Sequence, residues 1–295
     1  MRARRWTCTR GLLATVLCAS LIGCAMNGAS PMAPTLAHER IAQIVASPDR
    51  SAADRTNDLR RHPADMLAFI GIRPGWTALD VSTGGGYTTE LLARAIGPSG
   101  TVYAQSQPRD PNKVAPTPAA PEGGGSTAVP APASASAPPR PQRSTAEVLA
   151  DRERAMQAAG VAAAPIVYVG QRFDNPVPPE MADAKLDLVT LMFNYHDFGF
   201  LGVDRAQMNR AVFQALKSGG VYVVADHAGR PGTGISESGT LHRIEQSFLR
   251  SEVEAAGFRL ADEGNFLRNP NDPRDRNTPE PPQPKDEFVL KFVKP

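Results

Sequence analysis

The chain has 295 residues, of which 41% are hydrophobic and 21% charged, as is typical of a globular protein with one large or two small domains. Four of its 32 basic residues lie in the first 24 positions, so the remainder carries 28 basic and 30 acidic residues. A net charge near −2 on that remainder argues against a nucleic-acid-binding surface.

The first 24 residues have the organisation of an export signal. They hold four arginines and no acid, and an apolar run from Gly11 to Ile22 follows the basic part. The run is too short to cross a bilayer comfortably as a helix, which needs about 20 apolar residues. Leu21-Ile22-Gly23-Cys24 resembles a bacterial lipobox, whose cysteine is acylated and becomes the mature N-terminus.

We therefore expect residues 1–24 to be a lipoprotein-type signal peptide. A lipid on Cys24 would anchor the protein to the envelope in the periplasm, on the outer membrane. A plain signal peptide and an uncleaved anchor are the alternatives. Because Cys8, Cys18 and Cys24 all lie here, we expect neither disulfides nor thiol chemistry in the folded part.

Two segments differ in composition from the rest of the chain. Residues 25–37 are small and polar and are expected to form a flexible tether, with the domain occupying residues 38–295. Residues 106–143 contain ten prolines, a triple glycine and no aromatic residue. Such a segment buries too little apolar surface to fold, so we predict a disordered insert within a single domain.

Strand and helix periodicities alternate along residues 38–295. The predicted strands cover residues 77–81, 100–105, 166–169, 186–192, 221–225, 258–263 and 288–292. The predicted helices cover residues 87–96, 208–216 and 244–256, and another opens at a Ser144–Glu147 capping box and ends near Ala159. Gly219 and Gly220 are expected to end the helix at 208–216.

This alternation predicts an α/β fold, a Rossmann-like sheet of seven mostly parallel strands with helices on both faces. The last two strands have no helix between them and are expected to form an antiparallel hairpin at one edge. That ending distinguishes a methyltransferase-like sheet from an ordinary dinucleotide-binding sheet.

A glycine-rich stretch, Asp80-Val81-Ser82-Thr83-Gly84-Gly85-Gly86, joins the first strand to the first predicted helix. Glycines let the backbone turn sharply and approach a ligand closely, and ligands of such sheets bind at the carboxyl ends of the strands. The dinucleotide pattern G-x-G-x-x-G fails at two of its three glycines, Ser82 and Tyr87. The methyltransferase pattern D-x-G-x-G-x-G departs only at Ser82, so the loop favours S-adenosylmethionine over a nicotinamide cofactor.

The chain resembles a family of predicted, frequently exported bacterial class I methyltransferases that depend on S-adenosylmethionine. The resemblance is carried by RHPADMLAFIGIRPGWTALDVSTGGGYTTELLARAIGPSGTVYAQ, FNYHDF, GGVYVVADHAGRPGTG, LHRIEQSFLRSEVEAAGF and DEFVLKFVKP. These stretches cover nearly all of residues 38–295 apart from the proline-rich insert.

The resemblance implies a set of cofactor contacts. It places the methionine end of S-adenosylmethionine against the loop, the ribose at Gln105 and the adenine amine at Asp174, with Phe193 and Asn194 bordering the adenosine or the methyl group. Gln105 stands where the family usually carries an acid, so it lacks the charge-assisted part of the ribose contact. The expected cofactor-binding residues are Asp80, Ser82, Thr83, Gly84, Gly85, Gly86, Gln105, Asp174, Phe193 and Asn194.

Methyl transfer needs an acceptor held in line and, for some acceptors, a general base. The candidate catalytic residues His196, Asp197, Asp226 and His227 follow the fourth and fifth strands and meet at the carboxyl edge of the sheet. Histidine suits proton transfer near neutral pH, so His227 or His196 is the expected base. The alternative is that these side chains cap helices or fix loops.

Three further hypotheses are weaker. His242 opens the LHRIE segment, and His62 precedes Pro63 where a helix is expected to begin. The histidines and aspartates suit zinc or iron, but no short H-x-x-x-H spacing is present, so no metal is predicted. Tyr87, Phe193 and Tyr195 could form an aromatic wall for a substrate, although core packing explains such residues equally well.

The predicted function is methyl transfer from S-adenosylmethionine to a small acceptor, with no nucleic-acid partner. The alternative is a catalytically inactive methyltransferase-like lipoprotein that binds another ligand or a partner in the envelope. It is motivated by the scarcity of the cofactor outside the cytoplasm and by the atypical Ser82 and Gln105. A nicotinamide-dependent oxidoreductase is a third possibility, disfavoured by the glycine spacing.

Overall fold

The computed structural model describes residues 34–108, 143–279 and 282–295, together with Met1. The predicted signal peptide with Cys24, most of the tether and nearly all of the predicted insert lie outside these residues. Within the described part of the chain, no helix is long and apolar enough to cross a membrane.

Seven strands form one sheet in the order β3-β2-β1-β4-β5-β7-β6. The strands are β1 (Thr77–Val81), β2 (Thr101–Gln105), β3 (Ile166–Val169), β4 (Leu186–Met192), β5 (Leu216–His227), β6 (Arg259–Gly264) and β7 (Glu287–Val293). Strands β1 to β5 pair in parallel, and β7 pairs antiparallel with both β5 and β6. The predicted mixed sheet with an antiparallel C-terminal pair is confirmed.

Eight α-helices among the described residues connect or flank these strands. They are α1 (His38–Val45), α2 (Ala52–Arg61), α3 (Pro63–Ile70), α4 (Tyr87–Ile96), α5 (Thr145–Ala158), α6 (Tyr195–Phe200), α7 (Arg205–Ala215) and α8 (Gln246–Glu254). The predicted capping box opens α5, since Ser144 Oγ accepts from the Glu147 amide while Glu147 Oε2 accepts from the Ser144 amide. His62 is the N-cap of α3, as its place before Pro63 predicts.

The apolar faces of the helices bury both sides of the sheet. One core cluster joins α1, α3 and α4 to inward residues such as Ala78 and Val223, and the other joins α7 and α8 to Leu79 and Val224. Alternation of side chains along β1 and β5 therefore supplies both cores, as a strand buried on two faces must.

The start of β5 differs from the prediction. Helix α7 ends at Ala215, and the fully buried Leu216 already pairs with Leu186 of β4. The register shifts between Leu186 and Leu188, and Gly219 has a φ of 77°. Gly219 and Gly220 thus lie within the irregular start of β5 and do not directly end α7. The reason is that Leu216 pairs with Leu186 of the neighbouring strand β4.

Candidate functional site

The chain order reverses at β1, which lies between β2 and β4, so a crevice forms at the carboxyl ends of these strands. Residues 82–86, here called the glycine loop, line this edge between β1 and α4. Ser82, Gly84 and Gly86 all have positive φ, of 57°, 55° and 76°. Ser82 thus holds a backbone conformation that glycine adopts without strain, at the position where the sequence pattern has its missing glycine.

Asp80 lies beneath the loop and is 2% exposed. Its Oδ2 accepts from Thr89 Oγ1 at 2.6 Å and its Oδ1 accepts from Thr190 Oγ1 at 2.7 Å. Burial raises the pKa of the Asp80 carboxyl, while the threonine hydroxyls act against that rise. Asp80 therefore ties β1 to α4 and β4 and fixes the base of the loop.

Gln105, predicted at the ribose, is engaged in hydrogen bonds behind the loop. It is completely buried, its Oε1 accepts from the Ser82 amide at 2.9 Å, and its Nε2 donates to the Gln171 carbonyl at 2.7 Å. The Thr83 amide also donates to the Gln105 carbonyl at 2.9 Å. In this structure Gln105 holds the strained Ser82 in place.

Arg152 of α5 clamps the outer side of the glycine loop. Its Nε donates to the Gly85 carbonyl at 2.6 Å, and its Nη1 lies 2.7 Å from Asp54 Oδ2 and 2.5 Å from Glu90 Oε2. Both carboxylates are buried. One guanidinium therefore joins α2, α4 and α5 around the loop, using the forked donor geometry that a lysine lacks.

A cavity of about 220 Å³ opens above the glycine loop. Of the predicted cofactor residues it is lined by Asp80, Ser82, Thr83, Gly84, Gly85 and Asn194. A Cβ placed on Gly85 would meet no atom within 4 Å. The loop therefore presents open backbone to the cavity.

Arg61 is the cation that faces this cavity without an acidic partner. Its guanidinium stacks 4.5 Å from the ring centroid of Phe193 and 5.4 Å from that of Tyr87, and its buried Nε has no hydrogen-bond partner. Burial and the neighbouring Arg60 lower the pKa of Arg61. A buried donor without a hydrogen-bond partner costs free energy, so an anion bound beside this guanidinium would be stabilised.

A second, apolar cavity of about 20 Å³ adjoins the first and shares Arg61, Tyr87, Thr88 and Met192 with it. Phe193 lines this second cavity and has a φ of 63°. Two of the three residues suggested for an aromatic wall, Tyr87 and Phe193, therefore border a cavity. The suggestion is wrong for Tyr195, which is fully buried in the core and donates from its hydroxyl to Glu252 Oε2 at 3.0 Å.

The histidine cluster, comprising His196, His227 and His242 with Asp197 and Asp226, gathers at the ends of β4 and β5. His196 is 2% exposed and has both ring nitrogens beside carboxylates. Its Nδ1 lies 2.6 Å from Asp226 Oδ1, and its Nε2 lies 3.0 Å from Asp197 Oδ1. Burial opposes a charge on the ring, but the two carboxylates prevail and raise the pKa of His196 to about 10.

Asp197 responds in the opposite direction. Burial alone would raise the pKa of its carboxyl, whereas the hydrogen bond and charge of His196 lower that pKa to about 2. Asp226 is completely buried and accepts from the backbone amides of His196 at 2.8 Å and His227 at 2.7 Å. Asp226 therefore orients the cluster from behind and does not face the cleft.

His227 has different surroundings. Its ring stacks on Phe193 and His196, with centroids 5.6 and 5.4 Å apart. Its Nδ1 lies 2.9 Å from Glu287 Oε1 but is not aligned for a hydrogen bond. Burial and the charge of Lys285 hold the pKa of His227 well below its usual value, so the ring is neutral near pH 7.

Of the remaining predicted residues, Asn194 lines the cleft and Asp174 does not. Asn194 lines the larger cavity and donates from Nδ2 to Asp197 Oδ2 at 3.1 Å, linking the cavity to the histidine cluster. Asp174 follows β3 and pairs with the exposed Arg172 at 2.7 Å, which lowers the pKa of Asp174. Asp174 does not line either of these two cavities.

Sequence reasoning missed the two arginines at the glycine loop. Arg61 is one of two adjacent arginines at the end of α2, and Arg152 is one of three arginines between residues 143 and 154. No spacing in the sequence separates them from their exposed neighbours. Only the docking of α2 and α5 against the loop identifies them.

Comparison with known proteins supports the same architecture. No protein-family model and no curated protein matches the chain. A crystal structure of a SAM-dependent methyltransferase from Aquifex aeolicus matches with a TM-score of 0.50 and 14% identity, covering 88% of this chain and 100% of that one. This chain has the Rossmann-like fold of S-adenosylmethionine-dependent methyltransferases.

Two further solved structures are similar at lower TM-scores. The [4+2]-cyclase SpnF matches with a TM-score of 0.49 and 14% identity, covering 90% of this chain and 98% of that one. An arsenic(III) S-adenosylmethionine methyltransferase from Chlamydomonas reinhardtii matches with a TM-score of 0.45 and 13% identity, covering 75% of this chain and 64% of that one.

Proposed function

We propose that this domain transfers a methyl group from S-adenosylmethionine to a small acceptor. The observation that carries the proposal is the open glycine loop facing a cavity beside Arg61, a partly buried cation whose Nε has no hydrogen-bond partner. The fold supports the same proposal, because the loop lies at the point where ligands of such sheets bind.

The residues around the larger cavity fit the methionine end of the cofactor. Its carboxylate would pair with Arg61, and the backbone of Ser82 to Gly85 would lie along its chain, where no side chain at Gly85 obstructs the approach. Since Gln105 is engaged behind the loop, the ribose contact that the sequence predicts at Gln105 would require its two hydrogen bonds to be exchanged.

When bound, S-adenosylmethionine supplies an activated methyl group on a sulfonium centre, so the protein mainly positions the acceptor. The apolar side chains of Phe193 and Met192, beside the larger cavity, would pack against the acceptor's carbon skeleton and exclude water from it. His227 is the better base, because carboxylates occupy both ring nitrogens of His196. Asp226 would act by holding the two histidines in place.

Calorimetric titration of the full chain with S-adenosylmethionine, and separately with NADH, tests this proposal. We expect micromolar binding of S-adenosylmethionine alone. Arg61→Met should weaken that binding roughly tenfold or more, because a charge-assisted hydrogen bond contributes about 1.5–3 kcal/mol. Arg55→Met, a change of an exposed arginine on the same helix, should leave the affinity unchanged.

Absence of S-adenosylmethionine binding would contradict the methyl-transfer proposal and favour an inactive envelope protein that binds another ligand. Binding of NADH alone would favour an oxidoreductase. If Arg61→Met and Arg55→Met bind the cofactor equally well, the carboxylate is held elsewhere.

We further propose that the protein is exported and anchored through a lipid on Cys24, on the strength of the basic and apolar segments in residues 1–24. Cys24→Ser should move the protein from the membrane fraction to the soluble fraction of the producing cells. An unchanged distribution on fractionation would contradict lipid anchoring.

A further inference from the structure

Three side chains of the histidine cluster direct donor atoms toward one another. His196 Nε2 lies 3.0 Å from Asp197 Oδ1, and His242 Nδ1 lies 3.2 Å from the same oxygen. One donor atom from each of the three residues lies within 4.8 Å of the other two. Ligands bonded to one metal ion at about 2.1 Å are separated by about 3 Å, so this spacing suits a shared ion.

Asp226 gives His196 the support that a metal-ligating histidine needs. Its buried carboxylate lies 2.6 Å from His196 Nδ1 and also accepts from the His196 backbone amide. This contact orients the ring and turns Nε2 toward Asp197 and His242. A ligating histidine almost always donates its second ring N–H to a carboxylate, a backbone carbonyl or a water, and this contact raises the basicity of the ligating nitrogen.

Contacts of the neighbouring residues also fix the backbone around His242. His242 has a φ of 51°, which is unfavourable for a residue with a side chain. The next residue, Arg243, is fully buried, donates to the Ala228 carbonyl at 2.9 Å and pairs with Asp272 at 2.9 Å. The Ile244 amide donates to the His227 carbonyl at 3.0 Å. These contacts hold the strained His242 at the end of β5.

The cluster remains open on one side and adjoins the cleft. The side chains of Asp197 and His242 are 27% and 24% exposed, whereas that of His196 is 3% exposed. Asn194, which lines the larger cavity, hydrogen-bonds the second Asp197 oxygen. An ion bound here would keep coordination positions free for water or a ligand next to the cavity.

We propose that His196, Asp197 and His242 form a binding site for a first-row divalent metal ion of the zinc or iron(II) class. Two imidazoles and one carboxylate with open positions are the ligand set that such ions favour, while Mg²⁺ and Ca²⁺ prefer oxygen ligands. This site goes beyond the proposed methyl transfer and does not depend on it. Asp226 is its positioning residue.

The test is metal titration of the full chain, purified without a polyhistidine tag and freed of metal with a chelator. We expect calorimetry to show one equivalent of Zn²⁺ bound at micromolar or tighter affinity, with no binding of Mg²⁺ under the same conditions. Co²⁺ added to the same protein should give visible absorption bands of a protein-bound, low-coordinate ion. No cofactor or acceptor is added, so the result is independent of methyl transfer.

The variants assign the ion to this cluster. His242→Ala and Asp197→Asn should each weaken Zn²⁺ binding at least about tenfold, and Asp226→Asn should weaken it about 10- to 100-fold. His62→Ala is the matched control, because His62 is half-exposed and, among the described residues, its ring pairs only with Asp65 in the same helix turn. Circular dichroism confirms that each variant is folded before it is titrated.

The proposal is overturned if folded His242→Ala and His62→Ala bind Zn²⁺ with equal affinity, because the ion would then lie elsewhere. It is also overturned if the folded wild-type chain binds no Zn²⁺ at one equivalent. In that case the contacts among His196, Asp197 and His242 would be hydrogen bonds that fix the loops.

Discussion

The glycine loop and the histidine cluster lie at the same edge of the sheet, but the first presents backbone and the second presents side chains. Around the loop, Arg152 and Gln105 hold the chain in shape from outside and from behind. In the cluster, the charged side chains of His196 and Asp226 are buried against each other, and Asp226 is completely buried. The loop therefore depends on space and backbone conformation, whereas the cluster depends on the pairing of buried charges.

Three substitutions test this difference between the glycine loop and the histidine cluster. Asp226→Asn should lower the stability of the protein most. The asparagine would leave His196 without one of its carboxylates, and its amide would meet donors where Asp226 now accepts three hydrogen bonds. Removal of one partner from a buried charge pair costs about 3–5 kcal/mol. We expect a loss of that size in the free energy of unfolding measured with urea at pH 7.

Asp174→Asn is the matched control, since it makes the same change in an ion pair whose arginine side chain is 74% exposed. An exposed pair contributes at most about 1 kcal/mol. Equal losses in the two variants would show that burial of charge does not govern the cluster.

Gly86→Ala should have the next largest effect and tests the loop's dependence on space. The new Cβ would lie 2.8 Å from Leu149 Cδ2 and 3.0 Å from Arg152 Cδ, at a φ of 76°. Positive φ alone costs a side-chain-bearing residue about 1–3 kcal/mol, so we expect a loss of about 2 kcal/mol in urea unfolding.

Gly85→Ala provides the comparison within the same loop, because its Cβ would meet no atom within 4 Å and its φ is not positive. Its stability should stay within about 0.5 kcal/mol of the wild type. If Gly85→Ala costs as much as Gly86→Ala, then steric fit is not what limits the loop.

Arg152→Lys should have a smaller effect on stability than Asp226→Asn and Gly86→Ala. It keeps the positive charge at the glycine loop and removes only the forked donor geometry. A lysine ammonium cannot bond the Gly85 carbonyl, Asp54 and Glu90 together in the way the planar guanidinium does. We expect a loss of about 1 kcal/mol in thermal or urea unfolding and weaker binding of S-adenosylmethionine.

Arg154→Lys, on the same helix, changes an arginine whose side chain is 70% exposed and should be neutral within about 0.5 kcal/mol. An Arg152→Lys variant as stable as Arg154→Lys would show that the loop keeps its shape without the clamp.

Local sequence patterns predicted most of the architecture. The seven strands and their order of appearance follow from short apolar runs between turn residues, and α5 follows from its capping box. The beginning of β5 could not be predicted, because it depends on the strand pairing of Leu216 with Leu186, which lies 30 positions away in the sequence. Helices α1, α2 and α6 were not predicted either, and the six residues of α6 are too few to show a period.

The residues of the site also divide into those that local sequence predicted and those that it did not. Local sequence indicated the glycine loop and placed His196, Asp197, Asp226 and His227 at strand ends, because a pattern of strand, loop and helix is local. Partners remote in sequence could not be read from it. Gln105 lies 23 residues from Ser82 and Arg152 lies 67 residues from Gly85, yet both hold the loop.

By itself, the sequence determined the class of the fold, the loop that faces the cleft and the edge of the sheet where polar side chains collect. Periodicity and glycine spacing suffice for these features because they depend on neighbours along the chain. The tertiary structure alone decided that His196 lies between two carboxylates, that His242 joins Asp197, and that Arg61 faces the cavity without an acidic partner. Each of these depends on which groups are buried together, since burial and pairing, and not residue type, set the charge and the free donors of a site.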